Sequence, residues 1–120
     1  MHCMSIRVEL DTLADAMKDR GAGYLITTGL DGRPHTTSAQ VSLAGATLTC
    51  GAGRKTSANI TAQPKVALLW APTEPGDYSL IIDGDAVIEG EDDQRRAIIT
   101  ATGAILHRAA SEGGNDCKTV

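Results

Sequence analysis

Aromatic side chains are almost missing from this sequence: phenylalanine is absent, and Trp70, Tyr24 and Tyr78 are the whole complement. Binders of single-stranded nucleic acid stack bases on aromatic platforms, which this chain lacks the residues to build. Positive charge is not in excess either. Eleven Lys and Arg stand against fifteen Asp and Glu, a net charge of −4. That balance argues against a general nucleic-acid or membrane-surface binder, which needs a basic face, and leaves room only for a local basic site. No apolar run approaches the roughly 18 residues of a membrane span, and the Met1 end lacks the basic-then-apolar layout of a signal peptide, so a cytoplasmic protein is expected. The three cysteines, Cys3, Cys50 and Cys117, form no C-x-x-C pair, cannot all be bridged internally, and read as reduced thiols. His2 and Cys3 have no third ligand at a useful spacing, so no metal site is expected.

What is present concentrates in Thr49-Cys50-Gly51-Ala52-Gly53-Arg54-Lys55-Thr56-Ser57. An alternating apolar run stops there, two glycines follow, and two cations meet two hydroxyls. The glycines allow close backbone approach to a ligand, Thr56 or Ser57 can cap a following helix, and a helix start offers unpaired N–H groups to a phosphate. Arg54 adds a planar fork and Lys55 a point charge. The spacing is not G-x-x-x-x-G-K-[ST], so the nucleotide-binding loop of that pattern is excluded. An ordinary turn carrying solvated charges is the alternative.

At 120 residues the chain is read as one domain over 1–108 with a small, polar, disordered tail over 109–120. Leu10, Leu13, Ala14 and Met17 make one helical stripe, ended by Gly21 and Gly23. Tyr24 to Thr28 is β-prone, and Asp31-Gly32-Arg33-Pro34 turns it into a hairpin. The returning strand, about His35 to Leu43, sets Ala39, Val41 and Leu43 on one face and Thr36, Ser38, Gln40 and Ser42 on the other. That polar face either meets water or leaves room for a flat ligand whose edge bonds to the strand. Ala46 to Cys50 is a third strand leading into the anion seat, with Cys50 on the apolar side beside Leu48. A short helix from Ser57 to Gln63 ends before Pro64. Lys65 to Trp70, apolar on both faces, suits a central strand. Residues 71–77 are a loop, and a strand restarts at Tyr78 and continues through a bend or bulge at Asp83-Gly84. Residues 94–107 fit a helix through Ile98, Ala101 and Ile105, or a strand through Ile98, Ile99, Thr100 and Thr102; propensity favours the strand.

Helix, D-G-R-P-H hairpin, strand, G-R-K-T-S loop, helix, Q-P-K-V-A-L-L-W strand and Y-S-L-I-I-D-G-D-A strand, in that order, resemble the pyridoxamine 5′-phosphate oxidase-like flavin-binding split β-barrel family over about Leu10 to His107. The resemblance implies a mostly β fold, a six-stranded antiparallel split barrel with short helices. It also implies a homodimer that holds FMN phosphate-first at the subunit interface. Its phosphate contacts fall on Arg54 and Lys55, with Thr49 and Thr56 beside them. Its ring-contacting stretch falls on Thr37, Ser38, Ala39 and Gln40, and Ser42 and Ser79 match further ring positions. Pyridoxamine phosphate oxidases carry an arginine where this chain has Thr37, and a C-terminal extension that it lacks, so oxidation of that substrate is not implied. Other branches bind the deazaflavin coenzyme or haem. The resemblance thus implies an FMN- or deazaflavin-dependent oxidoreductase passing hydride or electrons to a small-molecule acceptor, or a non-catalytic flavin or haem carrier. No side chain stands out as an acid or base. His35 reads as a turn or interface residue and His107 as an end-of-strand hydrogen bonder in the dimer.

Overall fold

In the computed structural model, which describes residues 4–109, eight antiparallel strands form one sheet that curls into a half-closed barrel. His2, Cys3, Cys117 and residues 110–120 of the tail expected over 109–120 lie outside the described residues. The hairpin follows its turn chemistry. β2 (Gly23–Thr28) pairs with β3 (Pro34–Ala39), Gly32 takes φ +83, and the Asp31 carboxylate accepts a bond from the Arg33 amide at 3.0 Å.

The strand expected over 35–43 is broken in two. β3 stops at Ala39, and β4 (Ser42–Ala44) pairs instead with β5 (Thr47–Gly51). Between β2 and β5 in the sheet lie β6 (Lys65–Trp70), β7 (Ser79–Glu89) and β8 (Arg96–Arg108), so β3 and β4 stand at opposite ends of the strand order. Only Gln40 and Val41 join them, and each extended residue spans about 3.3 Å. The two ends of the sheet are therefore drawn together, and one continuous ladder cannot follow that curvature. Counting β3 and β4 as one, the expected six strands are present. The added strand, β1 (Met4–Arg7), pairs with the far end of β8.

β6 is central, as its two-sided apolar pattern requires. Of the 94–107 segment, all but Gln94 and Arg95 lies in strand β8, with Ala97, Ile99 and Ala101 turned inward, and Gln94 ends a 3₁₀ turn (Asp92–Gln94). Its ladder with β7 slips at Asp83/Gly84, where a side chain on Gly84 would come within 2.6 Å of Ile99 Cγ2 and 2.8 Å of the Thr100 carbonyl. Leu25, Leu48, Leu68, Trp70, Leu80, Ile82 and Ile99 fill the barrel. The expected N-terminal helix is shorter: a 3₁₀ turn (Leu10–Thr12) precedes α1 (Leu13–Met17). The Thr12 hydroxyl and amide both bond to the Glu9 carbonyl, a local closure that competes with the helix ladder. Leu13 is buried and Leu10 and Met17 pack on the core, whereas Ala14 faces outward. The helix stops before the glycines, at Lys18 and the left-handed Asp19.

Arg20 anchors the loop between β6 and β7. Its Nη1 donates to the Ala71 carbonyl at 3.2 Å and to the Tyr78 carbonyl at 2.8 Å, gripping both stems, while its Nε donates to Ala16 at 2.6 Å. Arg108 adds a bond to the Gly76 carbonyl and lies 4.7 Å above the Tyr78 ring centre.

A Cβ on Gly23 would lie 2.7 Å from Trp70 Cε2, inside contact distance of a ring that is itself 2% exposed. Gly23→Ala is expected to lower stability by about 1–3 kcal/mol, the usual cost of overpacking, and to shift the emission of the single tryptophan. An unchanged urea midpoint would show that the Trp70 ring has room to move.

Candidate functional site

The seat begins where β5 ends. Leu48 and Cys50 point into the barrel, so Thr49 faces outward, across from Ser42 on β4 and Ile98 on β8. Burial pushes the Cys50 thiol pKa up, which holds it in the neutral form. Any stability linked to that shift is complete below the ordinary value of 9.0 and is lost as pH rises through the folded value. Cys50 is thus a packing residue.

The helix after the seat, α2 (Arg54–Ala62), starts earlier than the sequence predicts. Its N-cap is Gly53, extended at φ −74 and ψ −176, not Thr56 or Ser57. The first helical bond runs from the Ser57 amide to the Gly53 carbonyl at 2.9 Å, so no helical partner exists for the amides of the first turn. No side chain caps that end and no acidic residue lies in the first turn. Arg54 and Lys55 stand there instead, exposed, and among the described residues neither enters a salt bridge or side-chain hydrogen bond. Cations at the positive end of a helix dipole cost about 0.3–1 kcal/mol each, and a missing cap costs about 1 kcal/mol. A bound anion would relieve both. Gly51 and Gly53 have negative or extended φ and open space where a Cβ would stand, so neither the backbone conformation nor the chain's own packing demands glycine. Thr56 is 3% exposed and withdrawn from the surface.

The β3 segment contributes an open edge. The Gly29 amide bonds to the Arg33 carbonyl at 2.8 Å in the same register as the β2–β3 ladder. Bonded pairs alternate along an antiparallel ladder, so His35, Thr37 and Ala39 bond to β2, whereas Thr36 and Ser38 aim N–H and C=O at the free edge. The side chains of Ser38 and Gln40 are exposed, Thr37 is half-buried, and Ala39 is 7% exposed on the barrel side. The β4–β5 register, Ser42 opposite Thr49, puts the end of the polar strand two residues before the ladder whose partner strand leads into the seat. Ser79 is not brought in. It pairs with His107 at the other end of β7, roughly 30 Å along the strand from the seat end. His107 Nδ1 lies 3.1 Å from the Ser5 hydroxyl, so it is an end-of-strand hydrogen bonder, made within the chain. Among the described residues no three His, Cys, Asp or Glu cluster as metal ligands, and no helix is long and apolar enough to cross a membrane.

Two open grooves flank the helix start. One of about 510 Å³ lies between residues 51–54 and the turn bearing Asp92, Asp93 and Arg95; the other, about 550 Å³, lies between Arg54 and Lys55 and the hairpin tip at Leu30 and Asp31. Sequence reasoning missed Arg95, which fell inside the 94–107 segment read as strand. It also missed Asn59, whose amide donates to the Thr27 hydroxyl at 3.0 Å, both residues buried, and so ties α2 to β2. A polar residue in the buried stripe of α2 was the available signal.

A family profile described as pyridoxamine 5′-phosphate oxidase matches residues 10–116. The chain belongs to that family. An uncharacterized protein of Mycobacterium bovis, Mb0449c, is 34% identical over 118 residues, covering 88% of this chain and 83% of its own length. Among solved structures, an F420 reductase superposes with a TM-score of 0.61 at 18% identity over 75% of this chain and 93% of its own. A FAD-binding protein of Mesorhizobium loti gives 0.65 at 11% over 88% and 99%, and HutZ, the haem storage protein of Vibrio cholerae, gives 0.64 at 13% over 85% and 97%. At these identities the structures share the split-barrel fold with this pyridoxamine 5′-phosphate oxidase family member.

Asn59→Leu leaves the Thr27 hydroxyl buried without its donor and should destabilise the protein by about 1–3 kcal/mol. Combined with Thr27→Val, the loss should be smaller than the sum of the single changes, since removing both partners of a buried bond is nearly neutral. Additive urea-denaturation energies would show that the pair does not couple α2 to β2.

Proposed function

We propose that this protein is a flavin-dependent oxidoreductase acting on a small molecule, with FMN or the deazaflavin coenzyme bound phosphate-first at the start of α2. The observation that carries the reading is an uncapped helix start bearing two cations that are unpaired among the described residues; an open, polar strand edge in the same curled sheet supports it. The donor set fits the group: Arg54, Lys55 and the first-turn amides suit a phosphate, with Thr49 beside them and the buried Thr56 offering its backbone amide alone. Thr37 to Gln40 suit a flat ring that presents hydrogen-bonding atoms along one edge, met by the free backbone groups of the strand. When bound, a flavin supplies hydride or electron transfer, and the protein's part is to hold the phosphate, align the ring and keep water from it. Similarity to an F420 reductase and a FAD-binding protein supports a flavin-type cofactor.

A homodimer completes the proposal. Tyr24 and Val87 are 46% and 59% exposed on the outer face of the sheet, and by strand alternation Ile26, Leu69, Ile81 and Ile98 share that face, half-buried. An apolar sheet face of this kind suits a second copy, whose surface would form the outer wall of the groove.

The test is the visible spectrum of the purified protein, then parallel titration with FMN and the deazaflavin coenzyme. Binding of one of them is expected, and the double change Arg54→Ala/Lys55→Ala should weaken it by well over tenfold, since each charge-assisted contact is worth roughly 1.5–3 kcal/mol. Unchanged binding would sink the phosphate assignment. Turnover of a quinone-like acceptor by the reduced complex supports the oxidoreductase; tight binding without turnover makes the protein a carrier.

A further inference from the structure

The seat has a third cation. We infer that Arg95 closes the phosphate site from the β8 side, so that the ligand's phosphate, held by Arg54 and Lys55, also reaches Arg95 across the groove between residues 51–54 and 92–95. The inference rests on the phosphate reading above and goes on to name a further residue that serves it.

Arg95 is tied to the seat by the backbone: its carbonyl accepts a bond from the Ala52 amide at 3.1 Å, one residue before Gly53. Arg95 and Arg54 line the same groove. Among the described residues, Arg95 Nε is shut off from solvent and has no hydrogen-bond acceptor. Asp92 and Asp93 line the groove as well, yet among the described residues no carboxylate lies within salt-bridge distance of either arginine. Two arginines therefore line one groove with two aspartates, and among the described residues no ion pair joins them. Like charges converging on a site repel unless an anion is shared between them. With Nε enclosed, the donors left for a ligand are on the terminal nitrogens of Arg95, which can take two phosphate oxygens in a fork. The acidic turn then has a defined effect: Asp92 and Asp93 oppose the ligand's charge and lower its affinity.

The experiment is a fluorescence titration of the full chain with whichever of FMN and the deazaflavin coenzyme it binds. Each is paired with its phosphate-free analogue, riboflavin or the free deazariboflavin. Arg95→Met should weaken binding of the phosphorylated ligand at least about tenfold and leave the phosphate-free analogue unchanged, which also shows that the variant is folded. Arg95→Lys, which keeps the charge without the fork, should fall between. Asp93→Asn should tighten the phosphorylated ligand alone. If Arg54→Met weakens FMN while Arg95→Met does not, the seat stands and this assignment is overturned. If Arg95→Met weakens both ligands of a pair equally, its role is structural and the assignment is again overturned. Wild-type protein that binds none of these ligands overturns the phosphate reading and this inference together.

Discussion

The architecture depends on one geometric constraint: the segment from Pro34 to Ala44 serves both ends of the same sheet. β3 completes one edge against β2, β4 completes the other against β5, and only Gln40 and Val41 lie between. Closing the sheet over so short a link sets its curvature. It also fixes where the open strand edge lies relative to the loop that leaves β5, because the residues just before β4 must run beside those at the end of β5. The candidate site is a product of that closure. A straight sheet with the same strands would leave Gln40 and Gly53 far apart.

Against this rigid frame the start of α2 is locally unfavourable. The helix is begun by a glycine without a capping side chain, and its first turn carries positive charge against a positive dipole. The remainder of α2 offsets this. Thr56, Ser57, Asn59 and Ile60 are buried, the Thr61 hydroxyl returns to the Ser57 carbonyl at 2.8 Å, and Asn59 is bonded to β2. Packing of the helix body thus supports a terminus that its own sequence does not. Departures from local preference that are compensated nearby are the pattern expected of a functional site.

That departure also explains what the sequence did and did not disclose. The hairpin at Gly32, the central β6, the slip at Asp83/Gly84 and the strand character of β8 were legible because each rests on a local signal: a turn residue, a run of apolar side chains, a glycine inside a strand, β-branched positions. The start of α2 was misplaced because capping rules point to Thr56 or Ser57, and the structure uses Gly53. The break at Gln40–Val41 was not legible because strand alternation persists through it; only closure of the sheet imposes it. β1 was lost because four residues carry little pattern and its partner, the end of β8, is at the other end of the chain. Arg95 reaches the seat only through the β5–β8 pairing, Gly51 opposite Arg96, which no local reading contains.

The free edge of β3 carries the last step. Unpaired backbone groups at an edge invite association with other chains, and proteins guard such edges by keeping them short, polar or interrupted by proline. β3 has Pro34 at its start, exposed Thr36 and Ser38 along it, and an end at Ala39 forced by closure. It is protected against indiscriminate pairing without being covered by any of the described residues. The outward groups of Thr36 and Ser38 therefore remain available to a bonding edge of limited length. A flat heterocycle has such an edge, and a full β-strand would have to pass the bend at Gln40 to use the same groups. On the proposed reading, the constraint that closes the barrel also selects a ring over a peptide at its open edge.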